Sequence, residues 1–382
     1  MRMRCAFLGG MLACMVVGFG CRPDEPASGP VAAPAVESPP TPAQLSAEQK
    51  AAIERIQTTG AEIELNDAGF PLRIDLASER VFASEALVRA TLEFPDLKKL
   101  RLAISSVSPE TLAELATLTA LEDLFLQDAA LDDAALMALF QAMPDLKRLT
   151  LRRVNGVTDA SLDAVASMEQ LEVLALIEMN ELTGPGLQRL AGSPRLRSLD
   201  LRNCGRFTAE DFQQLAALKG LVELKFAGPA VNDDVAEVIL GLPNVRSITI
   251  EDASISAAFL EKLASRDTTT GRIRTLSFAR CLGVPDEAFG AIARFPNLET
   301  LSLNDLMVSG AFLHTLSEAG KGPLPLKTLI VAKGFLDESA VARLPELAPN
   351  LERLDLRGSV EVTEETRQTL EQLENLKDLK LE

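Results

Sequence analysis

A six-residue pattern, Leu-x-x-Leu-x-Leu, returns about every 25 residues along most of this chain and constrains its fold more than any other feature. A degenerate first copy spans residues 71–76 and ends in Ile74-Asp75-Leu76. The clear copies begin at Leu97, Leu121, Leu146, Leu171, Leu196, Leu221, Val245, Ile273, Leu298, Leu326, Leu351 and Leu376. Such even spacing indicates a stack of equivalent units in which each unit contacts only its neighbours.

Each unit divides into two halves with different periodicity. The segment Leu149-Thr150-Leu151 and its equivalents alternate apolar and polar residues, which is typical of a half-buried strand. A residue that favours helix N-caps follows, and apolar residues at helical spacing come after it. The expected caps are Ser108, Asp132, Thr158, Thr183, Thr208, Asn232, Ser256, Ser309 and Thr363. We therefore expect a strand, a turn, a helix and a return loop in every unit.

This pattern resembles the leucine-rich-repeat family, and the resemblance covers residues 71–382 with about 12 repeats. It implies an α/β fold, a right-handed leucine-rich-repeat solenoid or horseshoe, with a parallel concave sheet and convex helices. Before it, residues 44–70 predict an N-terminal cap made of a helix that ends near Gly60 and a hairpin that turns at Asn66 to Gly69.

The N terminus reads as a targeting signal followed by a tether. Residues 1–20 contain a basic start and a short apolar run from about Cys5 to Phe19, just before Cys21. Residues 21–43 are rich in Pro and Ala. The combination resembles a bacterial lipoprotein precursor, which implies lipid attachment at Cys21 and an extracytoplasmic place at the cell envelope. Cys14 is an alternative lipidation site, and an uncleaved anchor is an alternative reading of the segment.

Two cysteines, Cys204 and Cys281, fall in the repeats, three residues after the last strand leucine or its Phe equivalent. This slot resembles the cysteine-containing subclass of the repeat known from the substrate-receptor half of F-box proteins. The region before the repeats is too short for an F-box, so ubiquitin-ligase function is not carried over. Three repeats apart, the thiols would lie about 14 Å from each other, beyond disulfide reach. We expect buried structural thiols.

The inventory of reactive residues argues against an enzyme. The chain has one histidine, His314, on an expected convex helix, so Cys/His and Ser/His/Asp catalysis lack a basis. No metal site or cofactor is predicted. Paired acids such as Asp132-Asp133 and Asp233-Asp234 could bind a hard cation, but their place at helix starts favours helix-dipole stabilisation. A net charge of -17 argues against nucleic acid as a partner.

The residue after the first leucine of each copy should form a column on the concave face. This column alternates in sign: Lys98, Glu122, Lys147, Glu172, Arg197, Val222, Arg246, Arg274, Glu299, Lys327, Glu352 and Lys377. It predicts a ladder of exposed ion pairs, each worth about 0 to 1 kcal/mol. Val222 breaks the alternation and leaves Arg246 beside Arg274.

Two interpretations of this break stay open. Glu223, Glu251 and Asp252 could neutralise the arginines, which is the structural interpretation. Alternatively an anionic or carboxylate-bearing partner binds there, with the extra residues 267–271 at the edge of the zone. The candidate binding surface consists of Val222, Lys225, Arg246, Thr249, Arg274, Ser277 and Arg280.

These features together predict a non-catalytic binding module. Its partner would be an unidentified protein or peptide, and its only membrane contact would be the lipid anchor. A structural envelope scaffold without a discrete ligand is the alternative function. At the last strand, Lys377, Asp378, Lys380 and Glu382 put charge on an open edge, which predicts either a blocked edge or a contact with a second copy or a partner.

Overall fold

The computed structural model describes residues 44–78, 81–104, 106–318, 320 and 322–381. The expected signal, Cys21 and the tether lie outside these residues. The boundaries assigned to the domains stay predictions, and the description below concerns the repeat array and the segment that leads into it.

One 14-stranded sheet runs through the array with its strands in sequence order. Strands β1 and β2 pair antiparallel, and every later neighbour pairs parallel. The strands are β1 Glu62–Leu65, β2 Pro71–Leu76, β3 Lys99–Ala103, β4 Asp123–Gln127, β5 Arg148–Arg152, β6 Val173–Ile177, β7 Ser198–Arg202, β8 Glu223–Ala227, β9 Ser247–Glu251, β10 Thr275–Ala279, β11 Thr300–Asn304, β12 Thr328–Ala332, β13 Arg353–Asp355 and β14 Asp378–Lys380. The chain is an α/β leucine-rich-repeat solenoid, as the sequence predicts.

Helical segments return the chain from the end of one strand to the start of the next. The α-helices are α1 Ala47–Gln57, α2 Glu85–Thr91, α3 Pro109–Ala113, α4 Asp133–Ala142, α5 Leu162–Ala166, α6 Gly184–Arg189, α7 Val235–Gly241, α8 Ala257–Thr270, α9 Ala311–Glu318, α10 Glu338–Val341, α11 Leu344–Leu347 and α12 Glu364–Leu370. Segments of 3-10 helix cover Glu114–Thr117, Asp159–Ser161, Leu190–Gly192, Asp211–Ala217 and Asp286–Arg294.

The expected helix is a 3-10 helix rather than an α-helix in two of the repeats. Asp211–Ala217 and Asp286–Arg294 are entirely 3-10 helix. A 3-10 helix rises about 2.0 Å per residue against 1.5 Å for an α-helix. Repeat length does not decide between the two, since α4 is an α-helix in a repeat of the same length as that of Asp286–Arg294.

The core lies between the sheet and the helical layer. In β4, for example, Leu124 and Leu126 are fully buried, and Leu149 and Leu151 continue the same rows in β5. Toward the carboxyl end the aliphatic rows give way to phenylalanines. Phe259, Phe278, Phe289 and Phe312 form a chain of edge-on or tilted ring contacts across successive repeats, an arrangement that aromatic rings prefer.

The segment before the repeats contains a capped helix and a hairpin. Ser46 and Gln49 form a reciprocal capping box at the start of α1. In the turn, the Asn66 side chain accepts hydrogen bonds from the backbone amides of Ala68 and Phe70, and Gly69 has a φ of 84°. These contacts are the local reason for a tight turn here.

Five of the nine expected caps accept a hydrogen bond from a first-turn amide. These are Ser108, Asp132, Thr158, Ser256 and Thr363. The expected capping role is wrong for the other four residues, Thr183, Thr208, Asn232 and Ser309, because no first-turn amide of their own helix donates to them within the described residues. The Thr183 and Ser309 hydroxyls instead donate to acids of the preceding repeat.

In the paired acids Asp132-Asp133, one carboxylate accepts a hydrogen bond from its own helix and the other accepts hydrogen bonds from the next repeat. Asp132 caps α4, whereas Asp133 accepts from the amide and hydroxyl of Thr158 at 2.8 and 2.7 Å. Asp233 binds Ser256 in the same way at 2.7 and 2.6 Å. These carboxylates fasten one repeat to the next through charge-assisted hydrogen bonds. This use of the acids is more specific than the helix-dipole role that the sequence suggests.

Candidate functional site

The sheet face that points away from the helices presents columns of side chains across the repeats. The column before the strands forms an ion-pair ladder, here called the first ladder. Glu122 lies 3.4 Å from the Lys98 ammonium and 2.6 Å from that of Lys147. Glu299 pairs with both Arg274 and Lys327, and Glu352 pairs with Lys377 at 2.6 Å. The alternation of sign in the sequence therefore becomes real contacts.

A second ladder, which the sequence analysis missed, follows the strands. Its members lie two residues after the last buried strand residue and are Asp128, Arg153, Glu178, Asp252, Arg280, Asp305 and Lys333. All seven have positive φ angles, from 49 to 58°. Arg153 contacts Asp128 at 2.6 Å and Glu178 at 3.1 Å. The signal in the sequence is a similar alternation of sign, six residues after the first ladder in each repeat.

The structure brings the candidate surface together. Lys225, Thr249 and Ser277 are register neighbours on β8, β9 and β10. The backbones of Val222, Arg246 and Arg274 are joined in order by hydrogen bonds of 2.8 Å. The seven residues thus share one face over three adjacent repeats.

Most of the cations on this surface already have partners. Arg274 pairs with Glu299 of the next repeat, and Lys225 contacts Glu223 at 3.2 Å. Arg280 holds Asp252 at 2.7 Å and Glu251 at 3.3 Å. These contacts favour the structural interpretation for Lys225, Arg274 and Arg280.

Arg246 is the exception on this surface. It is exposed and makes no ion pair or side-chain hydrogen bond within the described residues. The placement of the extra residues 267–271 at the edge of this zone is wrong. Those residues extend α8 in the helical layer, where buried Asp267 accepts from the amides of Arg272 and Ile273. Their role is to close the helix.

Hydroxyl groups cover the sheet face beside Arg246. Strands β9 to β12 carry seven hydroxyl side chains at successive outward positions: Ser247, Thr249, Thr275, Ser277, Thr300, Ser302 and Thr328. Only Ser302 hydrogen-bonds another side chain in the described part of the chain, where it accepts from Asn304 at 2.8 Å. The other hydroxyls are available to a ligand.

Three large apolar side chains, here called the apolar row, are exposed beside the second ladder. Leu282, Met307 and Phe335 are 74%, 71% and 62% exposed, and each lies two residues after Arg280, Asp305 or Lys333. The preceding repeats have small or polar residues at this position: Ser106, Ala130, Asn155, Asn180, Gly205, Ala230 and Ser254. This change from small or polar residues to large apolar ones was not predicted, although it is visible in the sequence when the residues at this position are compared across the repeats. Contiguous exposed apolar groups are characteristic of interaction surfaces.

A different group of side chains lies over β3 to β6 and is here called the Phe125 patch: Lys99, Arg101, Phe125, Arg148, Val173 and Ile177. The Arg101 guanidinium lies 4.0 Å from the centre of the Phe125 ring, and its Nε lies 3.0 Å from Asp75. Val173 and Ile177, with Ala175 between them, make the outward side of β6 entirely apolar. Lys99 and Arg148 are exposed and have no ion pair within the described residues.

Asp123 lies between these two cations, in register with Lys99 on one side and Arg148 on the other. Burial raises the pKa of the Asp123 carboxyl above its ordinary value, although the charges of Arg148 and Arg101 act in the opposite direction. The carboxylate makes no ion pair within 4.0 Å in the described region. Asp123 is therefore partly desolvated, and it leaves Lys99 and Arg148 unneutralised by direct contact.

The two repeat cysteines are buried and free, as the sequence predicts. The Cys204 thiol donates to the Leu176 carbonyl of the preceding strand at 3.1 Å, and the Cys281 thiol donates to that of Ile250 at 3.5 Å. Burial raises the pKa of the Cys204 thiol to about 12 and also raises that of Cys281. Thiols with such pKa values stay protonated, and only the thiolate is an effective nucleophile.

His314 lies on α9 with a side chain 25% exposed. Its Nδ1 accepts from Arg343 Nε at 2.8 Å, and Ser339 Oγ lies 3.3 Å from its Nε2. A neutral imidazole that accepts at Nδ1 carries its proton on Nε2. It therefore cannot take a proton from Ser339, and the Ser339 hydroxyl donates to Asp337 instead. The group does not have the geometry of a catalytic triad.

Two further searches concern the described residues alone. No group of three or more His, Cys, Asp and Glu side chains there is arranged to hold a metal ion. Within the same residues, none of the helices has both the length and the apolar character needed to cross a bilayer.

Comparison with known proteins gives the fold and no closer relationship. No protein-family model matches the chain, and no curated protein matches it either. Among solved structures, Rad7 from its yeast complex with Elc1 is 18% identical, with 87% of each chain covered and a TM-score of 0.54. This similarity concerns the fold alone, which is that of the leucine-rich-repeat solenoid.

Two other structures match with lower TM-scores. An internalin from Listeria monocytogenes is 17% identical over 88% of this chain and 95% of its own, with a TM-score of 0.43. TLR13, in its complex with ssRNA13, is 20% identical over 76% of this chain and 40% of its own, with a TM-score of 0.49.

Proposed function

We propose that this protein is a non-catalytic binding module of the bacterial cell envelope that recognises a protein or peptide through the outward face of its sheet. Lipid on Cys21 would hold it at the membrane from the extracytoplasmic side, with residues 22–43 as a tether. The solenoid supports this function because it exposes one long surface of strand side chains and needs no ligand for its own packing.

The apolar row is the observation that carries the proposal. Most of the surface of Leu282, Met307 and Phe335 is not buried by the fold, since 62 to 74% of each residue is exposed. Burial of one such side chain against a partner stabilises a complex by about 1.5 to 3 kcal/mol. The row begins two residues after Arg280 and thus continues the candidate surface formed by Val222, Lys225, Arg246, Thr249, Arg274, Ser277 and Arg280. A protein surface or peptide that crosses both would bury the row and reach unpaired Arg246.

A nucleic acid is a poorer match to these features. The chain has a net charge of -17, and it contains no Trp or Tyr on which bases could stack. We therefore propose a protein or peptide partner rather than a nucleic acid.

Crosslinking capture from an envelope fraction tests the binding function. The full chain should capture a discrete partner, and the triple variant Leu282→Ser, Met307→Ser, Phe335→Ser should capture at least tenfold less. Phe82→Ser is the matched control, because Phe82 is 57% exposed but lies at the other end of the array. Capture of no discrete partner by the wild type would favour the structural scaffold instead.

The charged part of the candidate surface has its own variant. Arg246→Glu with Arg274→Glu should reduce capture of the same partner. Unchanged capture by this double variant would remove Arg246 and Arg274 from the binding surface and leave the apolar row as the contact.

The anchor is tested by metabolic labelling with a radioactive fatty acid. Wild type should incorporate label and fractionate with membranes, whereas Cys21→Ala should remain unlabelled. Label retained by Cys21→Ala but lost by Cys14→Ala would transfer the attachment site to Cys14.

A further inference from the structure

The Phe125 patch places two unpaired cations beside a strand whose outward side chains are all apolar. Elsewhere on this face most cations have an acid within 4.0 Å, as Lys147 has Glu122 and Arg153 has Asp128. Lys99 and Arg148 have none within the described residues, although both are exposed. Neither residue contributes an ion pair to the fold, so their charge is free to attract a ligand.

The patch is also prepared for apolar contact. Phe125 is buried, at 8% exposed, beneath the Arg101 guanidinium, so the apolar surface open to a ligand is that of Val173 and Ile177. One strand beyond Arg148, β6 presents Val173, Ala175 and Ile177 in succession. Aromatic and arginine side chains surrounded by apolar area are the composition found where protein interfaces bind most strongly.

We propose that the Phe125 patch binds an acidic peptide segment that carries an aliphatic or aromatic side chain next to its carboxylates. The inference rests on the proposed binding function and adds a second contact region with a defined partner chemistry. The unpaired ammonium of Lys99 and the guanidinium of Arg148 each take a carboxylate, and the apolar side chain packs on Val173 and Ile177.

The spacing of the strands gives this segment a pattern. Lys99 and Arg148 lie on strands separated only by β4, which places their columns about 10 Å apart. A chain in the polyproline II conformation that crosses the strands covers that distance in about three residues at ~3.1 Å per residue, and its side chains return to the same face every third residue. The segment therefore has acids at positions i and i+3 and an apolar residue one or two positions later.

Asp123 sets the chemistry between the two acids. Its carboxylate lies on β4, between the strands of Lys99 and Arg148. An acid at position i+1 or i+2 of the peptide would lie over β4 near this carboxylate. Like charges at close range repel each other. Neutral or basic residues are expected at those two positions.

A random dodecapeptide phage library panned on the full chain tests the proposal without assuming a natural partner. The enriched peptides should carry two acids three residues apart followed by an apolar residue. Their binding should weaken at least tenfold in Lys99→Glu with Arg148→Glu, and less in Lys99→Gln with Arg148→Gln. It should also weaken several-fold between about 50 and 300 mM salt, because the contacts are exposed.

The matched control is Arg206→Glu with Arg266→Glu. Both residues are exposed, have no ion pair within the described chain, and lie off the outward strand face. This control changes the net charge of the chain by the same amount as the double variant in the patch. Circular dichroism should report the same secondary structure for all variants, since none of these side chains is buried.

Three results would overturn the inference. Enriched peptides could be basic, they could lack the apolar residue, or their binding could be equal in the Lys99/Arg148 variant and the control. Peptides lost only from Arg246→Glu would contradict this patch but leave the proposed binding function standing. Enrichment no greater than on an unrelated protein would contradict both.

Discussion

Strands β3 to β6 and strands β9 to β12 belong to the same sheet, but the two regions differ in whether their cationic side chains form ion pairs. In the second region Arg274, Arg280 and Lys327 all contact acids from adjacent repeats. In the first region Lys99 and Arg148 do not contact any acid of the described chain. Identical backbone geometry therefore supports a surface whose cations are paired, with Arg246 as the exception, in one place, and two neighbouring unpaired cations in another.

The uncharged side chains differ in the same way. Hydroxyl groups occupy seven outward positions of β9 to β12, where Ile330 is the largest apolar side chain, and the most exposed apolar groups of that region lie past the strand ends in the apolar row. In β3 to β6, Phe125 and Val173 lie on the strands themselves. We infer two contact regions of different character. In β9 to β12, hydroxyl groups lie next to the apolar row. In β3 to β6, unpaired cations lie next to the apolar side chains of β6.

The largest expected effect comes from giving Arg148 the acid that it lacks. Val173 is the register partner of Arg148 on the neighbouring strand, so Val173→Glu places a carboxylate beside the guanidinium and removes apolar surface. Binding of the enriched acidic peptides should fall at least tenfold, as measured by fluorescence anisotropy. Val173→Thr is the control because it keeps the side-chain shape without the charge, and it should lose only a few-fold.

The reciprocal change should make β9 to β12 behave more like β3 to β6. Glu299 pairs with both Arg274 and Lys327, and Glu299→Gln leaves the two cations without this partner. When Glu299→Gln is combined with Val173→Glu, the acidic peptides should bind more tightly than they bind to Val173→Glu alone. If this double variant binds no better than Val173→Glu alone, unpaired cations are not what distinguishes the two regions.

The fold follows from the sequence because its period is strong. Each strand with two buried leucines, such as Leu149 and Leu151, starts where the pattern requires it, and the paired acids lie at helix starts as expected. The helical layer is less predictable. The spacing of apolar residues in Asp286–Arg294 predicts a helix but does not distinguish an α-helix from a 3-10 helix.

The site follows from the sequence only in part, for a related reason. The alternation Lys98, Glu122, Lys147 along one column is visible in the sequence and becomes a ladder of contacts. Whether a cation is free depends on acids in other columns and repeats. Arg280 is neutralised by Asp252 of the preceding repeat, whereas Arg148 has Val173 on one side and Asp123, beyond ion-pair distance, on the other.

Two arginines of the same repeat allow a test of intermediate size. Arg153 of the second ladder bridges Asp128 and Glu178 with hydrogen bonds of 2.6 to 3.1 Å, whereas Arg148 bridges nothing in the described chain. Arg153→Met should lower the free energy of unfolding by about 1 kcal/mol, because it leaves two acids without their shared cation. Arg148→Met should change it by less than about 0.5 kcal/mol.

Urea unfolding followed by circular dichroism measures both changes under the same conditions. The free energy of unfolding should be lower for Arg153→Met than for Arg148→Met, and that of Arg148→Met should be close to the wild-type value. Equal losses for the two variants would mean that Arg148 has a structural role, and the assignment of its charge to a ligand would be wrong.

The smallest expected effect separates the two regions by pH. Asp252 has a lowered pKa because Arg280 hydrogen-bonds its carboxylate, and Asp123 has a raised pKa because of burial. A lowered folded-state pKa adds stability above the ordinary value near 4, and this stability is lost as the pH falls through the folded-state pKa. A raised folded-state pKa has the opposite consequence, since its contribution is complete below the ordinary value and is lost as the pH rises.

Asp252→Asn should therefore lower the Tm at pH 7, and the difference from wild type should shrink toward pH 3. Asp123→Asn should raise the Tm slightly at pH 7, with no difference near pH 3. It should also tighten the binding of acidic peptides a few-fold, because the acid between Lys99 and Arg148 is then neutral. A lower Tm at pH 7 for Asp123→Asn would mean that the nearby cations outweigh burial, and Lys99 and Arg148 would then already be neutralised by this carboxylate.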